Sequence, residues 1–189
     1  MDFSEQLHQA EIRDSLEKIL SEHCSQENLK EYDSKFKHDK NLLSLLSRNG
    51  YLGLGLNEKY GGSGEDLYDL GILFEQLGYH AAPLSLSGCL VDVAQTIQKF
   101  GNEESCKEIL SSIIAGEIYT SAILEPSNQD PENPMTTATV ENDQLIISGT
   151  KYLSEISSIA KSILISVNSS EGVLLVLVES DKVKLTELA

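Results

Sequence analysis

The stretch Ala115-Gly116-Glu117-Ile118-Tyr119-Thr120-Ser121-Ala122-Ile123-Leu124-Glu125-Pro126 divides the chain into two kinds of patterning. Before Gly116, apolar residues return every three or four positions, the spacing that gathers them on one face of a helix. After it come short runs rich in Ile, Val and Thr, separated by turn-forming pairs, as in strands. Helices first and strands afterwards predict an α+β protein, with a helical domain over residues 1–117 and a β-domain over 118–189.

Working upstream, Phe3, Leu7, Ala10, Ile12, Leu16, Ile19 and Leu20 form one apolar stripe, with Asp2 or Ser4 as the candidate cap. Charged residues fill 25–39, and then Leu42, Leu43, Leu45 and Leu46 mark a second helix ending at Asn49-Gly50. Residues 51–56 are a short apolar segment, and Tyr60-Gly61-Gly62-Ser63-Gly64 reads as a loop. A third helix is expected over 65–77, stopped by Gly78. A fourth should run from Pro83 to Phe100, and a fifth from Glu103, with its acidic first turn, to Ala115.

Working downstream, strands are expected over 118–124, 136–141, 144–148, 162–167 and 173–179, with one more over 183–188. Asn142-Asp143 and the segment 168–172 stand where hairpin turns would, and Pro126, Pro131 and Pro134 mark an irregular loop.

Charge and composition narrow the function. The 189 residues carry 14 Lys and Arg against 30 Asp and Glu, a net charge of −16 spread over both halves. Nucleic acid and anionic membrane are therefore unexpected partners, since both require clustered cations and only Arg13 and Arg48 are arginines. No apolar run approaches the roughly 20 residues of a spanning helix. The start, Met1-Asp2-Phe3-Ser4-Glu5, does not read as a targeting signal. Cys24, Cys89 and Cys106 are odd in number and widely spaced, which predicts reduced thiols and a cytoplasmic setting.

The chemical motifs are weak when read alone. Gly53-Leu54-Gly55 lacks the third glycine of a dinucleotide site, because Glu58 stands there. Gly61 to Gly64 lacks the Lys-Ser/Thr of a phosphate loop, and Ser63 is not in a nucleophile elbow. His8, His23, His38 and His80 have no metal-ligand spacing, so no metal is expected. Glu125 and Glu155, at strand edges, come closest to isolated carboxylates, and are expected to be hydrogen-bonded or solvated.

Taken in order, however, six fragments resemble the acyl-CoA dehydrogenase family. Residues 49–62, Asn-Gly-Tyr-Leu-Gly-Leu-Gly-Leu-Asn-Glu-Lys-Tyr-Gly-Gly, are similar to its "LGxLGLxxPxxYGG". Phe74-Glu75-Gln76-Leu77-Gly78 followed by Pro83 resembles its "EELG" and later proline. Gly101-Asn102-Glu103-Glu104-Ser105-Cys106-Lys107 and Ala115-Gly116-Glu117 resemble its "GxxEQK" and "GE". Ile123-Leu124-Glu125-Pro126 stands at its "TEP", and Ile147-Ser148-Gly149-Thr150-Lys151 at its "L-x-G-x-K", followed by Ala160 and Ile163-Leu164-Ile165.

The resemblance implies a helical bundle followed by an incomplete antiparallel β-barrel. It also implies FAD-dependent α,β-dehydrogenation of an acyl-CoA thioester, the hydride passing to the flavin. The expected partners are the acyl-CoA substrate, an electron-transfer flavoprotein or similar acceptor, and further subunits of a homo- or hetero-oligomer. By alignment, Ser121, Ile123, Leu124, Leu153, Ser154 and Glu155 take the flavin-facing positions, and Leu86, Leu90 and Ala94 line the acyl pocket. The family's glutamate base lies in a part of its pattern beyond Ala189, so no catalytic residue is expected within this chain, which is then inactive alone. Family chains run to nearly twice this length.

Three positions depart from the family pattern. Leu124 replaces the Thr of "TEP", Leu153 replaces an aromatic beside the flavin ring, and Glu155 replaces a Thr or Ser near its reactive nitrogen. Ser127-Asn128-Gln129-Asp130-Pro131 replaces a glycine-containing "GxGSD". These changes support a second reading, a non-catalytic partner subunit in a heteromeric dehydrogenase. A third, a free-standing binding module, has no residue in its favour.

Overall fold

A computed structural model describes residues 5–35, 38–64, 66–128, 130–142, 144–152, 154–155 and 157–186. The chain forms two compact units: Met1–Leu86 with Ala94–Gly116, and Ser87–Val93 with Glu117–Ala189.

The first unit is helical. Helix α1 (Leu7–His23) packs on α4 (Leu67–Tyr79), and Leu16, Leu20, Ile72 and Leu73 are enclosed. Leu7 of the expected stripe is exposed. Gln9 is buried in its place, because its side chain donates to Asp69 Oδ1 at 3.1 Å and accepts from the Gln6 amide at 3.0 Å. The candidate caps Asp2 and Ser4 lie outside the described residues, and Gln6 is the N-cap.

Helix α2 (Gln26–Lys35) occupies the charged stretch that carries no apolar period. The Ser25 hydroxyl accepts from the Asn28 amide at 3.3 Å, a cap that starts a helix without needing an apolar face. Helix α3 (Lys40–Arg48) begins at Asp39, whose carboxylate accepts from the amides of Asn41 and Leu42, both at 2.9 Å. It ends as expected, with Gly50 left-handed at φ +80°.

Residues 51–53 form a 3-10 turn, and the glycines after Tyr60 make a close crossing: a Cβ on Gly62 would lie 2.1 Å from the Leu56 carbonyl oxygen. The packing therefore requires glycine there for backbone approach. Helix α4 continues through Gly78 to Tyr79, so Gly78 is inside the helix and not its stop.

The expected helix from Pro83 begins later. The Pro83 carbonyl accepts from the Asp39 amide at 3.1 Å, which holds 81–86 in a loop. A π-helical turn then spans Gly88–Val93 before α5 (Ala94–Phe100), and α5 packs on α6 (Glu103–Ile114).

The second unit is a five-stranded sheet: β1 (Tyr119–Ala122), β2 (Thr137–Glu141), β3 (Gln144–Ser148), β4 (Ser162–Ser169) and β5 (Gly172–Glu179). The two hairpins, β2–β3 and β4–β5, are antiparallel as expected, and Asn142 takes φ +50° at the first turn. The α+β class and the open, incomplete sheet are as expected, but the sheet is mixed and not wholly antiparallel. β1 runs parallel to β4, pairing Tyr119 with Ser162 through Ala122 with Ile165, and β2 meets β4 in parallel at Thr137 and Asn168.

Central β4 has neighbours on both edges and is buried on both faces from 162 to 167. Ile163, Ile165 and Val167 form the core with Ala122 and Ala138, and Leu174, Val176 and Val178 of β5 pack against them. The strand expected over 183–188 is absent from its described part, 183–186.

Candidate functional site

Residues 151, 152, 154 and 155 are laced along β1. The Tyr152 amide donates to the Leu124 carbonyl at 3.0 Å, and the Ser154 hydroxyl donates to the Ser121 carbonyl at 2.9 Å. The Thr120 hydroxyl donates to the Glu155 carbonyl at 2.7 Å, and Lys151 Nζ reaches the Ile123 carbonyl at 3.3 Å. Ser121, Ile123, Leu124, Ser154 and Glu155 are thereby brought together, whereas Leu153 lies outside the described residues.

One end of this seam is anchored by a buried charge pair. Glu125 Oε1 accepts from Lys151 Nζ at 2.8 Å, from the Thr136 amide at 2.8 Å and from the Thr136 hydroxyl at 2.6 Å. Its Oε2 accepts from the Met135 amide at 2.7 Å, and Lys151 also donates to the Ser166 hydroxyl at 3.0 Å. Burial alone would raise the Glu125 carboxyl. Lys151, the Thr136 hydroxyl and the two amides outweigh that and hold it well below the usual carboxylate range. Glu125 is therefore a hydrogen-bonded structural carboxylate and not a base.

At the other end the π-helical turn meets β1, and Gly88 permits the approach. A Cβ there would fall 2.8 Å from Thr120 Oγ1. Two hydroxyl–carboxylate ties fasten it: Ser121 Oγ to Asp92 Oδ2 at 2.5 Å, and Ser87 Oγ to Glu155 Oε2 at 2.7 Å. The Gly88 amide adds a longer bond to Glu155 Oε2 at 3.4 Å. Cys89, on the same turn, is buried, and burial pushes its thiol up to about 11, so it is no nucleophile at neutral pH.

Asp92 is not among the expected site residues, although the sequence carries a signal: it is the one charged residue between His80 and Lys99. The expected acyl-pocket residues are enclosed, with Leu86 and Leu90 1% exposed and Ala94 0%. Elsewhere, His8, Asp66 and Asp69 bring ligand atoms within 4.8 Å of one another. His8 Nε2 lies 3.4 Å from Asp69 Oδ1, which also accepts from Gln9, and Asp66 caps α4 by accepting from the Tyr68 amide, so both carboxylates already have partners.

The side chains at the seam do not fit a flavin ring. The edge of an isoalloxazine carries mostly acceptors, which call for donors. Ser121 directs its proton to Asp92 and Ser154 directs its own to a backbone carbonyl. Leu124, 38% exposed, has no polar atom on its side chain, and the carboxylates of Asp92 and Glu155 add acceptors.

Comparison with known proteins gives a consistent picture. The profile of the acyl-CoA dehydrogenase N-terminal domain matches residues 6–117. Acyl-CoA dehydrogenase FadE12 of Mycobacterium tuberculosis is 30% identical over 142 residues, 73% of this chain and 36% of that protein. A variant of the Tcur3481-Tcur3483 steroid ACAD superposes with a TM-score of 0.84 at 30% identity, over 92% of this chain and 48% of that one. The ChsE4-ChsE5 complex from Mycobacterium tuberculosis shares the fold, with a TM-score of 0.84 at 21% identity over 95% and 49% of the two chains. The chain thus spans about a third of the curated relative and about half of either structure.

Proposed function

Because the chain belongs to the acyl-CoA dehydrogenase family, we propose that it serves the α,β-dehydrogenation of an acyl-CoA thioester as a partner subunit in a heteromeric assembly. The family match supports the reaction and the substrate class. The role within the assembly rests on one observation: Ser121 spends its proton on Asp92, Leu124 has no polar side-chain atom, and Asp92 and Glu155 present acceptors. The paired naming of the similar Tcur3481-Tcur3483 steroid ACAD supports a two-component arrangement. In such an assembly another subunit supplies the flavin.

This chain's own contribution is a rigid frame. Lys151 and Glu125 fix the backbone at 123–125, and the seam holds Tyr152, Ser154 and Glu155 beside it. Positioning of this kind holds neighbouring groups in register without reorganisation at the moment of reaction. When FAD is present in the assembly, it accepts the hydride removed from the substrate.

The competing reading makes this chain itself the FAD-dependent dehydrogenase, passing electrons to an electron-transfer flavoprotein. The optical spectrum separates the two. A colourless purified chain that takes up no FAD supports the partner role. A yellow chain with about one equivalent of flavin supports the other.

A further inference from the structure

We infer that the carboxylates of Asp92 and Glu155 are the groups that keep flavin off this chain, which makes them the specificity determinants of the β1 seam. The inference rests on the partner-subunit reading and assigns its cause. Each carboxylate is an acceptor with no proton to give, and each takes the proton of a serine hydroxyl: Ser121 for Asp92 at 2.5 Å, Ser87 for Glu155 at 2.7 Å. Two further seam hydroxyls are spent on backbone carbonyls, Ser154 on that of Ser121 at 2.9 Å and Thr120 on that of Glu155 at 2.7 Å. A flavin edge set here would meet acceptor against acceptor, with the loss that follows from unpaired polar groups.

Charge acts in the same direction. FAD brings a diphosphate to a chain of net charge −16 and, once reduced, an anionic ring as well. Replacing the two carboxylates by their amides preserves shape. It removes two negative charges and supplies four N–H donors, and each amide oxygen can still accept from its serine.

The test uses the full chain, the variants Asp92→Asn and Glu155→Gln, and the double variant. Each is titrated with FAD and, separately, with riboflavin, which carries the ring without the diphosphate. Binding is read from flavin fluorescence anisotropy, and folding from circular dichroism. The wild-type chain should bind neither, and the double variant should bind both. Its dissociation constant should lie roughly tenfold or more below the highest concentration that leaves the wild type unbound. Glu155 is exposed, and its bonds from Ser87 and Gly88 go to an oxygen that an amide keeps, so Glu155→Gln alone should fold and show part of the gain even if the double variant does not fold.

Stoichiometric FAD on the wild-type chain would overturn both this inference and the partner reading. Folded variants that bind no flavin would overturn the inference alone, leaving the partner role standing and locating its cause in Leu124 and the backbone.

Discussion

Lys151 Nζ lies 2.8 Å from Glu125 Oε1, and both side chains are nearly enclosed, at 8% and 4% exposure. The pair joins the end of β1 to the segment that runs alongside it, and every donor it offers has a partner. Removing one member leaves the other buried without compensation. Lys151→Met, which keeps the stem, is expected to cost on the order of 3–5 kcal/mol in chemical unfolding. A loss below about 1 kcal/mol, the range of an exposed pair, would show the site to be wet.

The same pair predicts how stability depends on acid. Its folded pKa is depressed, so Glu125 contributes stability that is fully present above its ordinary value of 4.5 and declines as pH falls below it. Melting temperature should therefore drop with acid below about pH 5. In Glu125→Gln that part of the slope should vanish, and an unchanged slope would assign acid sensitivity to other carboxylates.

Two glycines should respond in opposite senses to the same change. Gly71 is exposed inside α4 with open space where a Cβ would sit, so Gly71→Ala should stabilise by about 0.5–1 kcal/mol. Gly62→Ala forces a Cβ to 2.1 Å from the Leu56 carbonyl. Its cost should reach or exceed the upper end of the roughly 1–3 kcal/mol typical of overpacking. Thermal melts of the two variants decide this, and a neutral Gly62→Ala would mean the loop can shift.

The three thiols should separate by accessibility. Cys24 is partly exposed, whereas Cys89 and Cys106 are buried, and burial pushes Cys89 up to about 11. A disulfide reagent at mild alkaline pH should label Cys24 first and reach the other two only after unfolding. Rapid labelling of Cys89 in the folded chain would contradict its burial.

The helices α1, α3, α4 and α6 are legible because their apolar residues repeat at helical spacing, and the hairpins because turn residues separate short strands. α2 is not legible from periodicity: its first turns depend on the Ser25 cap and not on an apolar stripe. The loop before Ser87 escapes because a distant amide, that of Asp39, captures the Pro83 carbonyl. The parallel β1–β4 pairing escapes for a related reason, since strand direction is set by tertiary contacts and not by alternation within each strand.

At the seam, the resemblance groups Ser121, Ile123, Leu124, Leu153, Ser154 and Glu155; the structure brings five of these together, and Leu153 lies outside the described residues. Asp92 belongs with them through a π-helical turn that helical spacing does not anticipate.

The parallel pairing of β1 with β4 has a kinetic consequence. Tyr119 meets Ser162 only after the intervening chain has folded back, so this contact closes a long loop and carries its entropy. The β4–β5 hairpin, with residues close in sequence, can form early. Pulse-labelled hydrogen exchange during refolding should therefore find the amides of β5 protected before those of β1. The seam would then be the last part of the second unit to assemble, and any partner that recognises it would select for chains that have finished folding.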